Sequence, residues 1–342
     1  MKALTEVREI SRLAYGFLAS KALFAALDLE LFGHIAAGAR TAEALADATG
    51  VPLHRIETLV AALVSAGVLV REDGQLANAP ATARYLVPGE PAYFGDYYRF
   101  QIGGQIYGNM LTLDAGLRGD EAALAHHRMS GWLSDPRRAE DFSRAQHAGS
   151  LGPAMMMAKR LDLPGARQLL DVAGGTGAFA ITFCQRNPRL TAAILDFPAV
   201  IDVARRYVAG AGMEDRIALI AGDARETDWP DRQDAVLMSY LLSAVNGAEI
   251  APLLARAYAA LRPGGLLIVH DFMLDEARAG PSSAALFFLS YLAVQPDAVS
   301  FTAGELTRVV EAQGFTRIAV EVMIPEITSM LTARKPGERD HV

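Results

Sequence analysis

A single cysteine, Cys184, stands among 342 residues. That excludes an intramolecular disulfide framework and a cysteine-rich zinc site, and it fits a reducing compartment. Basic residues are outnumbered, Lys+Arg 32 against Asp+Glu 39, for a formal net charge of −7. A nucleic-acid binder neutralises phosphates with a basic face, so nucleic acid is not an expected partner. Long hydrophobic runs are scarce as well. The longest, around 284–294, falls short of the ~20 residues a membrane helix requires, so no membrane partner is expected. The opening MKALTEVREISR mixes charges and has no apolar h-region, which predicts no signal peptide and a cytoplasmic location. No spacing of His, Asp and Glu resembles a built metal site, so no metal is expected. What is present is apolar side chain: hydrophobic residues make up 51% and charged residues 21%, enough for a large core. At ~100–200 residues per domain, the length allows about two domains.

The first 95 residues read as short helices and a hairpin. Residues 10–31 carry apolar side chains at helical spacing, and Thr41 is placed to cap a second helix that Gly50 stops. Residues 52–66 form a third, and Asp73-Gly74 joins two short extended runs. Helix, helix, helix, hairpin is the winged-helix order. The would-be recognition helix offers only His54 and Arg55 against Glu57, so a structural or dimerisation role is expected rather than DNA binding. Residues 96–160 read as a helical bridge broken by glycines. From 161 to 342 the pattern changes: RQLLDVAG, TAAILDFP, RIALIAGD, QDAVLMSYLL and GGLLIVHDFM are short apolar runs separated by helical segments. That alternation predicts an α/β domain with a parallel, Rossmann-like sheet. The last eight residues, KPGERDHV, read as a frayed tail.

The chemistry concentrates at the carboxyl ends of these strands, the ligand side of an open α/β sheet. The first strand runs into Asp171-Val-Ala-Gly174-Gly175-Thr176-Gly177, where glycines let backbone turn tightly and approach a ligand at a helix N-terminus. Asp196 ends the second strand nineteen residues after Gly177, placed for two ribose hydroxyls. The third ends in Gly222-Asp223-Ala224, and Pro263-Gly264-Gly265 turns into the fifth. No Lys-Ser/Thr pair follows the glycines, so this is not a P-loop.

Taken in order, D-x-x-G-G-x-G, ILDFP, the AGD strand end and LRPGGLLIVHD resemble an S-adenosylmethionine-dependent methyltransferase, and more narrowly the caffeate/acetylserotonin O-methyltransferase-like family. The N-terminal region resembles that family's winged-helix dimerisation domain, which implies a homodimer. The resemblance implies that Asp171, Gly174, Gly175 and Gly177 hold the methionine end of S-adenosylmethionine. It implies that Asp196, with Phe197 beside it, binds the ribose. Asp223 and Ala224 would border the adenine, and Ser239 would join the cofactor site.

The chain departs from the family at the base. Where plant-type members carry His-Asp-Trp, this sequence has Ser243-Ala244-Val245. Serine is no general base near neutral pH, and a base contributes ~10²–10⁴-fold for a hydroxyl acceptor. His270 and Asp271, at the end of the fifth strand, are the replacement candidates, although adjacent strand residues point to opposite faces. A thioether sulfur has no proton to lose, and an acidic phenol or activated ring carbon needs little help. The missing histidine therefore favours a thioether acceptor, and the resemblance to bacterial relatives that lack the motif implies one such as 4-methylthio-2-hydroxybutyrate, on the way to dimethylsulfoniopropionate. O- or C-methylation of an acidic phenol or activated ring is the alternative, and a non-catalytic cofactor-binding regulator is a third reading. Acceptor contacts are expected from Tyr97, Gln101 and Tyr107, from Phe142, Gln146 and His147, and from Tyr291 and Gln295. His126 and His127 are expected to be solvated.

Overall fold

The hairpin at Asp73-Gly74 forms as its residues dictate. Both take positive φ, 50° and 80°, as a type I′ turn demands, and β1 (Leu69–Glu72) pairs with β2 (Gln75–Asn78). The computed structural model describes residues 3–120, 135–161, 163 and 165–337. His126 and His127 lie outside the described residues. The chain divides into two units, Met1–Tyr107 and Gly108–Val342.

In the first unit, α1 (Val7–Asp28), α2 (Leu31–Ala36), α3 (Ala42–Thr49) and α4 (Leu53–Ser65) precede the hairpin, and α5 (Pro80–Tyr85) follows it. Thr41 caps α3 through its Oγ1, which accepts the Ala44 N–H at 3.2 Å. The single helix expected over 10–31 ends at Asp28 because Glu30 adopts a left-handed conformation (φ 51°) that turns the chain into α2. Phe32, Leu45, Ile56, Leu63, Leu69 and Leu76 are fully buried and tie these helices to the hairpin. Residues Tyr97–Ile106 form a π-helix, which the glycine-interrupted pattern did not indicate.

One expectation from hydropathy fails here. By length and composition α1 is long and apolar enough to cross a membrane. The charges of Arg8, Arg12 and Lys21 break its apolar residues into short runs, so a search for one continuous run passes over it. Phe24, Ala26 and Leu27 are buried within the unit, whereas Val7, Ile10, Leu13, Phe17 and Leu18 are exposed.

The second unit carries the long helix α6 (Pro136–Arg160), capped by Asp135, and then a seven-stranded sheet. The elements run β3 (Gln168–Val172), α7 (Ala178–Arg186), β4 (Thr191–Asp196), α8 (Pro198–Gly210), β5 (Ile217–Ala221) and β6 (Gln233–Ser239). They continue with α9 (Gly247–Ala260), β7 (Leu261–Asp271), α10 (Ser282–Leu292), α11 (Ala303–Ala312), β8 (Thr316–Ile324) and β9 (Thr328–Arg334). Strand order is β5-β4-β3-β6-β7-β9-β8. β3 to β7 are parallel, while β9 runs antiparallel to both neighbours.

The parallel strands are apolar throughout because helices cover both faces. Alternation divides them: Leu170, Val172, Val236 and Val269 pack toward α9 to α11, and Leu169, Ile194, Leu237 and Ile268 toward α7 and α8. The sheet grows from β3 outward in both directions, to β4 on one side and later to β6 on the other. This is the switch point where ligands enter α/β sheets, and it puts the carboxyl ends of β3 and β6 side by side. The expected tail is pinned at its start, where Lys335 Nζ donates to the Tyr258 and Leu261 carbonyls at 2.7 Å.

Candidate active site

A cavity of about 420 Å³ opens at that switch point, and its lining comes from the second unit. Beyond β3 the backbone coils through positive φ at Ala173 (54°), Gly175 (56°) and Gly177 (82°) before entering α7. Glycine is required at position 174 for space and at position 177 for space as well as conformation. A Cβ on Gly174 would sit 2.7 Å from the Asp171 carboxyl carbon, and one on Gly177 would collide with Ile194 Cδ1.

Asp171 lies beneath this loop, fully buried. One oxygen accepts the Ala180 N–H at 3.3 Å, and Oδ1 has no partner among the described residues. Burial pushes its carboxyl up to about 7; the Ala180 N–H pulls it down and the neighbouring charge of Asp196 pushes it further up. Asp196 closes β4 and holds the loop: Oδ2 accepts the Gly175 N–H at 2.8 Å and Oδ1 the Phe197 N–H at 2.7 Å. Burial raises it to about 6 against those two donors. Phe197 lines the cavity at the start of α8 and packs in the same cluster as Phe142 of α6.

Past β5, Gly222, Asp223 and Ala224 also line the cavity. Asp223 is gripped by Arg225, whose Nε reaches Oδ1 at 2.9 Å and whose second terminal nitrogen reaches Oδ2 at 2.5 Å. The guanidinium also meets Glu249 at 2.9 Å. Arg225 holds the Asp223 carboxyl below the usual carboxylate range. Neither Arg225 nor Glu249 was among the sequence candidates. The only available signals were a charge two residues beyond Asp223 and the Asn246–Glu249 capping box.

This arrangement fits S-adenosylmethionine. An unpartnered buried carboxylate oxygen and two mutually repelling carboxyls call for a ligand that brings positive charge. The backbone cradle at Gly174 to Gly177 accepts a close approach that a side chain would block. Asp196 keeps spare lone pairs for ribose hydroxyls.

The catalytic candidates fall elsewhere. Ser243, His270 and Asp271 are fully buried and are not lining residues of the cavity. His270 has both ring nitrogens engaged, Nδ1 with Ser239 Oγ at 2.9 Å and Nε2 with Thr328 Oγ1 at 2.8 Å, and burial lowers it to about 3. It is a neutral strut behind Ser239, which does line the cavity. Asp271 accepts the backbone N–H groups of Ser243 (3.1 Å) and Phe272 (2.8 Å) and is raised by burial to about 6. It staples the segment after β6 to β7. From the stretch that replaces His-Asp-Trp, Ala244 and Val245 reach the cavity wall while Ser243 turns inward.

Among the acceptor candidates, Phe142, Gln146 and Gln295 line the cavity. His147 instead meets Thr176 and Tyr207. Tyr291 packs on Phe272, with its hydroxyl held in the neutral form first by burial and then by the Asp271 charge. Tyr97, Gln101 and Tyr107 belong to the first unit. Tyr240, Ser150 and Leu241 are lining residues that the sequence did not single out.

Comparison with known proteins gives the family and the same cofactor. An O-methyltransferase domain matches residues 128–316, and an O-methyltransferase dimerisation domain matches residues 11–88. The chain is 31% identical over 290 residues to the 3-hydroxy-5-methyl-1-naphthoate 3-O-methyltransferase of Streptomyces sahachiroi, covering 83% of this chain and 82% of that one. It is 27% identical over 296 residues to the L-tyrosine C(3)-methyltransferase of Streptomyces lavendulae, covering 83% and 80%. Human N-acetylserotonin methyltransferase, solved with S-adenosylmethionine, shares the fold with a TM-score of 0.85 at 22% identity, covering 97% of this chain and all of that one. The winged-helix expectation for the first unit thus resolves as a dimerisation domain, and the non-catalytic alternative gives way to an enzyme. With its catalytic domain and its dimerisation domain both matched, the chain belongs to the S-adenosylmethionine-dependent O-methyltransferase family.

Proposed function

We propose that this enzyme, working as a cytoplasmic homodimer, methylates an acidic hydroxyl or its activated ring carbon on a small aromatic acceptor. The observation that carries the reading is that, among the described residues, no uncommitted base lines the acceptor side of the cavity. The walls contributed by α6, by the segment after β6 and by Gln295 present Phe142, Gln146, Tyr240, Val245 and Gln295, none of them charged at neutral pH. The lining carboxylates belong to the glycine loop (Asp171, Asp196) or to the Arg225 cluster (Asp223, Glu249). His270 and Asp271 are committed to Ser239, Thr328 and backbone N–H groups. With no such base among the described residues, the acceptor is one that arrives already ionised or reacts through an atom with no proton to lose.

When bound, S-adenosylmethionine supplies a methyl group on positively charged sulfur, an electrophile that needs no acid catalyst. The chain's own work is alignment and exclusion of water. Asp171 and the glycine loop hold the methionine end, Asp196 the ribose, and Asp223 the adenine side. Ser239, braced by His270, fixes the floor between β3 and β6. Phe142 and Tyr240 give the wall two aromatic rings, a surface suited to a flat acceptor. The two Streptomyces relatives named above are, by name, an O- and a C-methyltransferase, which supports oxygen or carbon.

A thioether sulfur also needs no base and is the second reading. Incubation with methyl-labelled S-adenosylmethionine and a panel of hydroxynaphthoates, acidic phenols, hydroxyquinones and methylthio acids separates the two by mass spectrometry. The expected result is a labelled ring product without a fixed positive charge. A labelled sulfonium from a methylthio acid, with the phenols inert, would replace this reading with the thioether one.

A further inference from the structure

One polar contact joins the two sides of the cavity. His147 sits in α6 immediately after Gln146, and its Nδ1 lies 2.7 Å from the Oγ1 of Thr176. Thr176 is a lining residue of the glycine loop and is itself almost fully buried. The imidazole is stacked on Tyr207 of α8, with ring centroids 4.1 Å apart at a tilt of 33°. The same helix contributes Phe142, Gln146 and Ser150 to the cavity, spaced four residues apart and so on one helical face. An ion pair between Glu140 of α6 and Arg206 of α8 is a second link between the two helices.

We infer that His147 is a positioning residue, locking the glycine loop to the α6 wall so that cofactor affinity depends on its bond to Thr176. The loop has few other side-chain anchors. Asp196 holds the Gly175 N–H from one side, and His147 holds the next residue from the other. Ala173 holds a positive φ without a glycine's freedom to adopt it, and Gly175 and Gly177 follow at positive φ, so the segment gains from such external supports. Tyr207 fixes the plane of the imidazole, so Nδ1 is presented to Thr176 rather than searching for it. Burial lowers the ring to about 4, so it stays neutral and the bond persists through the working pH range. The inference rests on cofactor binding alone and is independent of the acceptor.

Calorimetric binding of S-adenosylhomocysteine to the full-length protein provides the test, with thermal unfolding recorded for each variant. His147→Ala and Thr176→Val are each expected to weaken binding about five- to tenfold, the worth of one hydrogen bond to a preorganised loop. His147→Phe keeps the ring on Tyr207 but loses Nδ1, and it should bind as weakly as His147→Ala. Thr176→Ser keeps the hydroxyl and should stay within about twofold of the parent. The double variant His147→Ala/Thr176→Val should be no worse than the weaker single one, because both remove the same interaction. Parent-like affinity for His147→Phe would overturn the proposal in favour of simple packing. So would multiplicative losses in the double variant, or a fall in melting temperature without a change in affinity.

Discussion

Asp196→Ala is expected to raise the KM for S-adenosylmethionine about 100-fold, with a much smaller change in kcat at saturating cofactor. Two effects add. On the reading proposed above the carboxylate accepts from the ribose, and hydrogen bonds to a charged group contribute ~1.5–3 kcal/mol each. It also holds the glycine loop, through the Gly175 and Phe197 N–H groups at 2.8 and 2.7 Å. Removing it leaves two part-buried donors without their partners and frees the loop that Asp171 underlies. Asp196→Asn keeps the shape and one acceptor oxygen, so its loss should be smaller, on the order of tenfold. Initial-rate kinetics with varied cofactor measure both. A KM for Asp196→Ala within about threefold of the parent would remove Asp196 from the cofactor site.

The second large effect concerns pH. Asp171 is raised to about 7, chiefly by burial. Its folded value lies above its unfolded one, so its stabilising contribution is complete below about 4 and is lost as pH rises through about 7. In the ligand-free protein, ionised Asp171 is thus a cost, and a cationic ligand beside it offsets that cost. Between pH 6 and 7.5 the affinity for S-adenosylmethionine should rise several-fold, approaching tenfold per pH unit only while Asp171 is protonated. Asp171→Asn should bind more weakly and lose that slope, and the ligand-free variant should gain stability near pH 7.5. Binding titrations at three pH values decide it. An equal slope in the variant would assign the proton to another group.

Much of this site can be read along the chain because it lies in backbone. Asp171, the three glycines and Asp196 occupy strand ends and turns, and spacing along βα units fixes where those fall. The run of helices into a hairpin in the first unit is similarly local, carried by Thr41, Gly50 and Asp73-Gly74, although the first expected helix divides in two at Glu30. What spacing leaves open is where a side chain points once several elements converge. His270 and Asp271 are neighbours at a strand end and look alike as bases. One is braced between β6 and β9, through Ser239 and Thr328, and the other is tied to two backbone N–H groups. The partner Thr328 belongs to β9, and the antiparallel pair β8 and β9 was not among the expected strands. His147 falls where the resemblance places acceptor-contacting residues, yet a helix turns adjacent residues by about 100°, and it is Gln146 that faces the cavity. The pairing of Arg225 with Asp223 and Glu249 joins β5 to α9 across a long separation in sequence, which no local pattern reveals. Hydropathy failed at α1 for a different reason: scattered charges hid an apolar helix that belongs to the dimerisation domain.

The central claim is that the acceptor, and not the protein, provides the ionised nucleophile. It is tested most directly by the pH dependence of kcat/KM at saturating S-adenosylmethionine, with phenolic acceptors of graded acidity. The account predicts a rising limb whose midpoint follows the acceptor's own pKa from one phenol to the next. Asp271→Asn should leave that midpoint in place. A midpoint fixed near 6 for every acceptor, and abolished in Asp271→Asn, would instead make Asp271 the general base and contradict the account.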